Sequence, residues 1–186
     1  DGVDEAALRR AIATGRVPEA LHSFEVKPGD GVFLPAGTVH AIGAGLLLFE
    51  IQQTSDITYR LHDWGRVDPR TRQPRPLHIQ ESLACIDYRR GPVTPVVPQI
   101  EGERELLVEC DYFRLWRTTS ARPFQVGAAG ECRIAVAVAG RGTLRAGDAE
   151  APLQPGAAWL LPAELGAGEC VPEGALTVIE CGLAFV

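Results

Sequence analysis

The sequence reads as a mostly β protein with short helices, and three observations carry that reading. Short apolar runs at residues 31–34, 46–53 and 57–61 are separated by Pro-Gly and Gly-rich turns, the spacing of an all-β barrel or sandwich. After a proline-bearing stretch the same texture returns and continues to Val186. Only two segments depart from it and show helical spacing.

The first helical segment spans residues 4–14. Ala6, Ala7, Leu8, Ala11 and Ile12 are grouped at helical spacing, Asp4 is placed to cap the free N–H groups of the first turn, and Gly15 ends the run. Strand texture begins at residue 22. Residues 77–86 read as a second helix, and residues 90–103, with Pro92, Pro95 and Pro98, as an extended linker. Beyond it, residues 133–139 and the Gly140-Arg141-Gly142 turn open a further set of strands.

Composition narrows the function classes. With 186 residues, 46% of them hydrophobic, the chain can bury a core, as one large domain or two small ones. A formal charge of −6 argues against nucleic acid or an anionic membrane surface as partner. No apolar run approaches membrane-spanning length, and residues 1–10 carry charges of both signs without a signal-type apolar segment. Five cysteines, an odd number with no CxxC pair, fit free thiols in a reducing compartment, so the cytoplasm is expected. The chain has no Met and opens inside a helix, which suggests a piece of something longer.

An internal repeat organises the β texture. Pro28-Gly29 through Pro35-Ala36 aligns with Pro155-Gly156 through Pro162-Ala163 at an offset of 127 residues, with Leu34 on Leu161. Glu50 is set against Glu180 at a slightly different offset. The second copy has Glu164 in place of Gly37 and Ala167 in place of His40. It therefore keeps the turn and loses the imidazole. Upstream of Pro155 lies a full set of strands, whereas upstream of Pro28 lies only the helix, so the first barrel's missing strands are expected before residue 1.

The richest chemical signal is Gly29-Asp30-Gly31-Val32-Phe33-Leu34-Pro35-Ala36-Gly37-Thr38-Val39-His40, which fits G-x5-P-x-G-x2-H. Pro35 presets φ for a turn, Gly37 supplies a position without a Cβ, and the chain then re-enters a strand that aims His40 inward. An imidazole held so is a good metal ligand. The pattern resembles the second motif of the cupin β-barrels, so the fold expected is a pair of cupin (jelly-roll, RmlC-like) barrels, one partial and one complete, with short helices.

His40 needs partners, because zinc takes three or four ligands. His22 and His78 read as surface or capping residues. His62 shares strand parity with Arg60 and Thr58, which allows it either to line a pocket or to stand in solvent. Glu50 interrupts the apolar run 46–51 and must meet solvent or a wet cavity beside His40. Asp56, Thr58 and Arg60 share a face by strand period, which permits an inward guanidinium able to neutralise an oxyanion or clamp a phosphate. Arg66, Arg70, Arg72 and Arg75 form a local positive loop, suited to phosphate or to solvent.

Residues 27–88 resemble the type I mannose-6-phosphate isomerases, the zinc-dependent phosphomannose isomerase branch of the cupins. Pro35-Ala36-Gly37-Thr38-Val39-His40-Ala41 carries the resemblance, followed by Glu50-Ile51-Gln52-Gln53-Thr54-Ser55-Asp56-Ile57-Thr58-Tyr59-Arg60, Asp63-Trp64-Gly65-Arg66 and Leu77-His78. It implies an aldose–ketose isomerase that interconverts mannose 6-phosphate and fructose 6-phosphate through an enediol. In that reading His40 is a zinc ligand, Arg60 the catalytic arginine, and Glu50 and Arg66 substrate-binding residues. The family's other zinc ligands, a Gln-x-His pair and a Glu, come from its first half, and this chain has no Gln-x-His.

The implied organisation is 1–21, the end of a helical insertion; 22–92, the remaining part of the catalytic cupin; 93–104, a linker; and 105–186, a second, metal-free cupin in which Trp159 helps fill the emptied cavity. The implied partner is a small sugar phosphate, with no nucleic acid and no membrane, and the sequence carries no signal of oligomeric state. Two further readings stand beside it: a bicupin that binds a sugar or sugar phosphate without turning it over, and an oxidative metal cupin, which needs several His ligands where one is in frame.

Overall fold

The computed structural model describes residues 2–55 and 57–184, and the chain divides into two compact units, Asp1–Pro95 and Val96–Val186. Asp56, expected on one face with Thr58 and Arg60, lies outside the described residues.

In the first unit, α1 spans Glu5–Ala13 and α2 spans Ile79–Cys85, close to the two helices read from sequence. The Asp4 carboxylate accepts a hydrogen bond from the Ala7 N–H at 2.7 Å, the expected cap and a contribution of about 1 kcal/mol. A 3-10 turn with Pro18 near its start follows at Val17–Ala20. Leu8, Val17, Leu61 and Leu83 bury a small core, with Ile12, Val39, Ile79 and Ile86 packed against it. Each helix thus contributes one fully covered leucine. The intervening chain contributes the rest.

The strands expected between residues 22 and 61 are absent among the described residues. The physical reason is visible in the repeat. In both copies the same two turns close: Asp30 N–H donates to Lys27 O at 3.0 Å as Ala157 N–H does to Gln154 O at 2.8 Å. Likewise Thr38 N–H donates to Pro35 O at 3.1 Å as Leu165 N–H does to Pro162 O at 3.0 Å. Gly29 and Gly156 adopt φ of 93° and 90°. Between those turns, Ala158–Leu161 forms a strand because Arg133–Ala139 lies alongside it. Residues 31–34 have the same frame and no such neighbour among the described residues. A strand exists only through its hydrogen-bonded partner. For the same reason Leu46, Leu48 and Phe49 stand exposed and Leu47 fully so.

The second unit is β throughout. Its strands are β1 (Gln99–Glu101), β2 (Arg104–Glu109), β3 (Phe113–Ser120), β4 (Phe124–Val126), β5 (Arg133–Ala139), β6 (Gly142–Ala146), β7 (Ala149–Leu153), β8 (Ala158–Leu161), β9 (Gly168–Pro172) and β10 (Leu176–Leu183). β1 falls inside the stretch expected as a linker, where it pairs with β2. Two antiparallel sheets result, ordered β1-β2-β3-β10-β5-β8 and β4-β9-β6-β7. With β1 and β2 set aside, that is the strand order of a jelly roll. Phe124, Val126, Leu144, Leu153 and Cys170 from one sheet meet Ala135, Ala137, Leu161, Leu176 and Val178 from the other. Trp159 sits opposite Ala135 in the register and packs against this core, its indole N–H donating to Pro152 O at 3.0 Å.

One end of that core is charged. Glu180 continues the inward series Leu176, Val178 on β10 and is only 3% exposed. Its carboxylate accepts from the Gly127 N–H at 2.9 Å and from Arg133 Nη1 at 3.4 Å, with Arg104 Nη1 at 3.8 Å. Gly182 makes this possible, because a Cβ there would lie 2.7 Å from Arg133 Cδ and Nε. The guanidinium carbons of Arg104 and Arg133 stand 4.3 and 4.2 Å from the centre of the buried Trp116 ring, whose N–H donates to Glu101 at 2.9 Å.

All five cysteines are free. Burial pushes the Cys170 thiol up to about 12 and that of Cys181 to about 11, so neither forms the reactive thiolate near neutrality. A thiol reagent applied to the folded chain at neutral pH is expected to label the exposed Cys85 and Cys132 and to spare Cys170 and Cys181 until denaturant is added. Rapid labelling of all five without denaturant would contradict the packing.

Candidate functional site

The first unit contains a cavity of about 300 Å³. His40 and Arg60 both line it, brought together from the two motifs that carried the sequence reading, with His62 and Trp64 beside them. Glu50 and Arg66 are exposed and are not among its lining residues.

His40 is positioned by the turn that precedes it. Gly37 adopts φ of 83° and packs against the end of α2, where a Cβ would fall 3.0 Å from Cys85 O and 3.1 Å from Asp87 N. Asp87 N–H in turn donates to Gly37 O at 3.1 Å. A glycine is therefore required on two counts, backbone conformation and space. The His40 ring is exposed, with Nδ1 3.0 Å from Thr38 O. A carbonyl only accepts, so Nδ1 carries the proton and Nε2 offers its lone pair, the arrangement that suits a metal-ligating imidazole.

Arg60 is half-buried and held at three points. Its Nη1 donates to Pro76 O at 3.3 Å, its backbone N–H donates to His78 Nδ1 at 3.2 Å, and its carbonyl accepts from the His78 N–H at 2.9 Å. Sequence reasoning gave His78 only a capping or surface role. It does occupy the N-cap of α2, yet its ring makes no capping hydrogen bond. A second residue without an assigned role is Trp64. It takes a φ of 51°, unusual for a bulky side chain, and its half-exposed ring meets His62 edge-on at 4.9 Å and Arg66 at 5.7 Å. The signal for Trp64 was present in the Trp64-Gly65 pair, which marks a tight turn. Two hydroxyls lining the cavity, those of Thr38 and Ser82, are buried without a hydrogen-bond partner.

The arginine-rich loop is organised by carboxylates. Arg75 Nε donates to Asp63 Oδ2 at 2.7 Å and its Nη2 contacts the other oxygen. The Asp68 carboxylate accepts from the N–H groups of Arg70 and Thr71, and Val67 bridges Pro74. The hydrogen bond from Arg75, reinforced by the charges of Arg75, Arg60 and Arg66 against the opposing effect of burial, holds the Asp63 carboxyl below its ordinary value. A lowered folded-state value stabilises above the unfolded value, near 3.9, and that contribution is lost as pH falls below it. Thermal stability of the first unit is expected to fall below about pH 4, and Asp63→Asn to remove part of that dependence. Identical acid profiles for the two proteins would contradict the assignment.

The fit to a metal can be tested on these residues. Among the described residues no group of three or more His, Cys, Asp or Glu side chains could hold a metal ion. Catalytic zinc takes three protein ligands, so the described residues do not by themselves fit it. No helix of the described residues is long and apolar enough to cross a membrane.

The second unit has the strand order of a jelly roll, and His40 stands in its Gly-Pro-Gly frame in the first. No family model matches the chain. The mannose-6-phosphate isomerase ManA of Bacillus subtilis is 35% identical over 162 residues, 86% of this chain and 51% of that protein. The mannose-6-phosphate isomerase of Streptococcus mutans is 32% identical over 157 residues, 83% of this chain and 49% of that protein. The crystal structure of the Bacillus subtilis mannose 6-phosphate isomerase superposes with a TM-score of 0.82 at 27% identity, covering 96% of this chain and 57% of that one. The chain thus spans about half the length of the curated relatives it matches. It is similar to the type I mannose-6-phosphate isomerases, proteins of cupin fold, and matches their C-terminal portion.

Proposed function

We propose that this chain is the C-terminal part of a cytoplasmic, zinc-dependent mannose-6-phosphate isomerase and supplies one side of its active site. The carrying observation is the cavity shared by His40 and Arg60, in a chain whose relatives bear that activity in their names. Isomerisation moves a proton between C1 and C2 of the sugar, so an enediolate charge develops on oxygen. Arg60, half-buried and fixed at both backbone and side chain, is suited to stabilise that charge without reorganising. His40 supplies one metal ligand through Nε2, and the remaining ligands come from polypeptide outside these 186 residues. Arg66, with Arg60 close to Asp63, belongs to the positive region that receives the phosphate, and Glu50 contacts the sugar once residues 46–53 are paired as a strand.

The absence of a three-donor cluster among the described residues favours a second reading for the isolated polypeptide: a sugar phosphate-binding bicupin without turnover. One assay separates them. Mannose 6-phosphate is supplied to the chain alone and to the chain joined to the half of the Bacillus subtilis relative that it does not match. Turnover by the joined protein, abolished by a chelator, is expected; a folded joined protein that binds the sugar phosphate without converting it would establish the second reading.

A further inference from the structure

We infer that His78 is a positioning residue for Arg60: segment 76–78 forms a cradle, and the neutral His78 ring, accepting at Nδ1, sets where the arginine stands. This rests on the reading of Arg60 as the group that meets developing negative charge. The two residues are eighteen positions apart and joined by reciprocal bonds, Arg60 N–H to His78 Nδ1 at 3.2 Å and His78 N–H to Arg60 O at 2.9 Å. Pro76 O holds the far end of the same side chain at 3.3 Å. Backbone and guanidinium are thus fixed by two residues of one short segment, Pro76 and His78.

The chemistry of the ring is constrained by this geometry. A backbone N–H only donates, so Nδ1 must present a lone pair and the ring proton must sit on Nε2. That is the opposite tautomer to His40, whose Nδ1 faces a carbonyl. Helix capping does not explain His78, because at the N-cap of α2 its ring leaves the helix N–H groups alone. Nor is it merely filling the small core, whose members are Leu8, Val17, Leu61 and Leu83. Leu61 adjoins Arg60 and Leu83 lies on α2, so the ring ties the arginine to an element that the core already anchors.

The test uses nuclear magnetic resonance on the full chain, which needs no turnover. In the wild type the His78 ring is expected to show a protonated Nε2 and an unprotonated Nδ1, and the Arg60 amide to be protected from exchange. His78→Ala is expected to speed Arg60 exchange about tenfold or more while the Ser82 amide inside α2 keeps its protection. His78→Asn places an oxygen near the position of Nδ1 and is expected to restore protection; His78→Gln, which reaches toward the Nε2 position, is not. Equal Arg60 exchange in wild type and His78→Ala, or a proton on Nδ1, would overturn the cradle. In the joined protein, His78→Ala is expected to lower kcat with KM little changed, and an unchanged kcat would overturn the positioning role. An inactive wild-type joined protein would instead defeat the isomerase reading, a failure separable from loss of the cradle because exchange is read on the chain alone.

Discussion

Replacing Glu180 with Ala is expected to destabilise the second unit by about 1–3 kcal/mol, the cost of leaving the Gly127 N–H without its acceptor and Arg133 without one of its two carboxylates. Arg133, itself 6% exposed, would keep Glu131 and the face of Trp116, while the Gly127 N–H would lose its acceptor. Glu180→Gln keeps an oxygen for Gly127 and removes the charge, so an intermediate loss is expected. Chemical denaturation of the full chain carrying Trp64→Phe, so that the remaining fluorescence comes from Trp116 and Trp159 of the second unit, measures both. A loss below about 1 kcal/mol for Glu180→Ala would show the pair to be solvated rather than buried.

The second large effect concerns chemistry. In the joined protein, Arg60→Ala is expected to reduce kcat by about 10²–10³, the range for removing one preorganised group that stabilises an oxyanion. Arg60→Lys should recover little, because an ammonium cannot reproduce the guanidinium's reach to Pro76 O while presenting a donor to the substrate. Steady-state kinetics with mannose 6-phosphate decides it. A kcat within a few-fold of wild type would remove Arg60 from the reaction.

What was legible in the sequence was local. α1 announces itself by its Asp4 cap and spacing and α2 by its apolar run alone; packing then buries Leu8 on the first and Ser82 and Leu83 on the second. The repeat was legible too, and its two turns recur with matching hydrogen bonds in both copies. Residues 31–34 and 46–53 were read as strands from the same pattern that makes β8 and β10, yet a pattern specifies a face and not a partner. β8 has β5 beside it; residues 31–34 have no equivalent in the described chain. Glu50 and Arg66 take their roles from the resemblance, and neither lines the cavity: Glu50 lies in a run that no strand pairs among the described residues, and Arg66 stands exposed in the loop after Trp64. His78 reads from sequence as a surface or capping residue because its bond to Arg60 links side chain to backbone across a loop and leaves no periodic trace.

A divided metal site depends on the His40 ring. Its Nε2 lone pair is left available while Nδ1 is engaged with Thr38 O, and no donor cluster among the described residues completes a coordination sphere. The decisive measurement is the zinc content of the joined protein and of the chain alone, each with and without His40→Ala. One zinc per joined molecule, lost in the variant and never acquired by the chain alone, is the expected result. Stoichiometric zinc retained after His40→Ala, or held by the isolated chain, would contradict it.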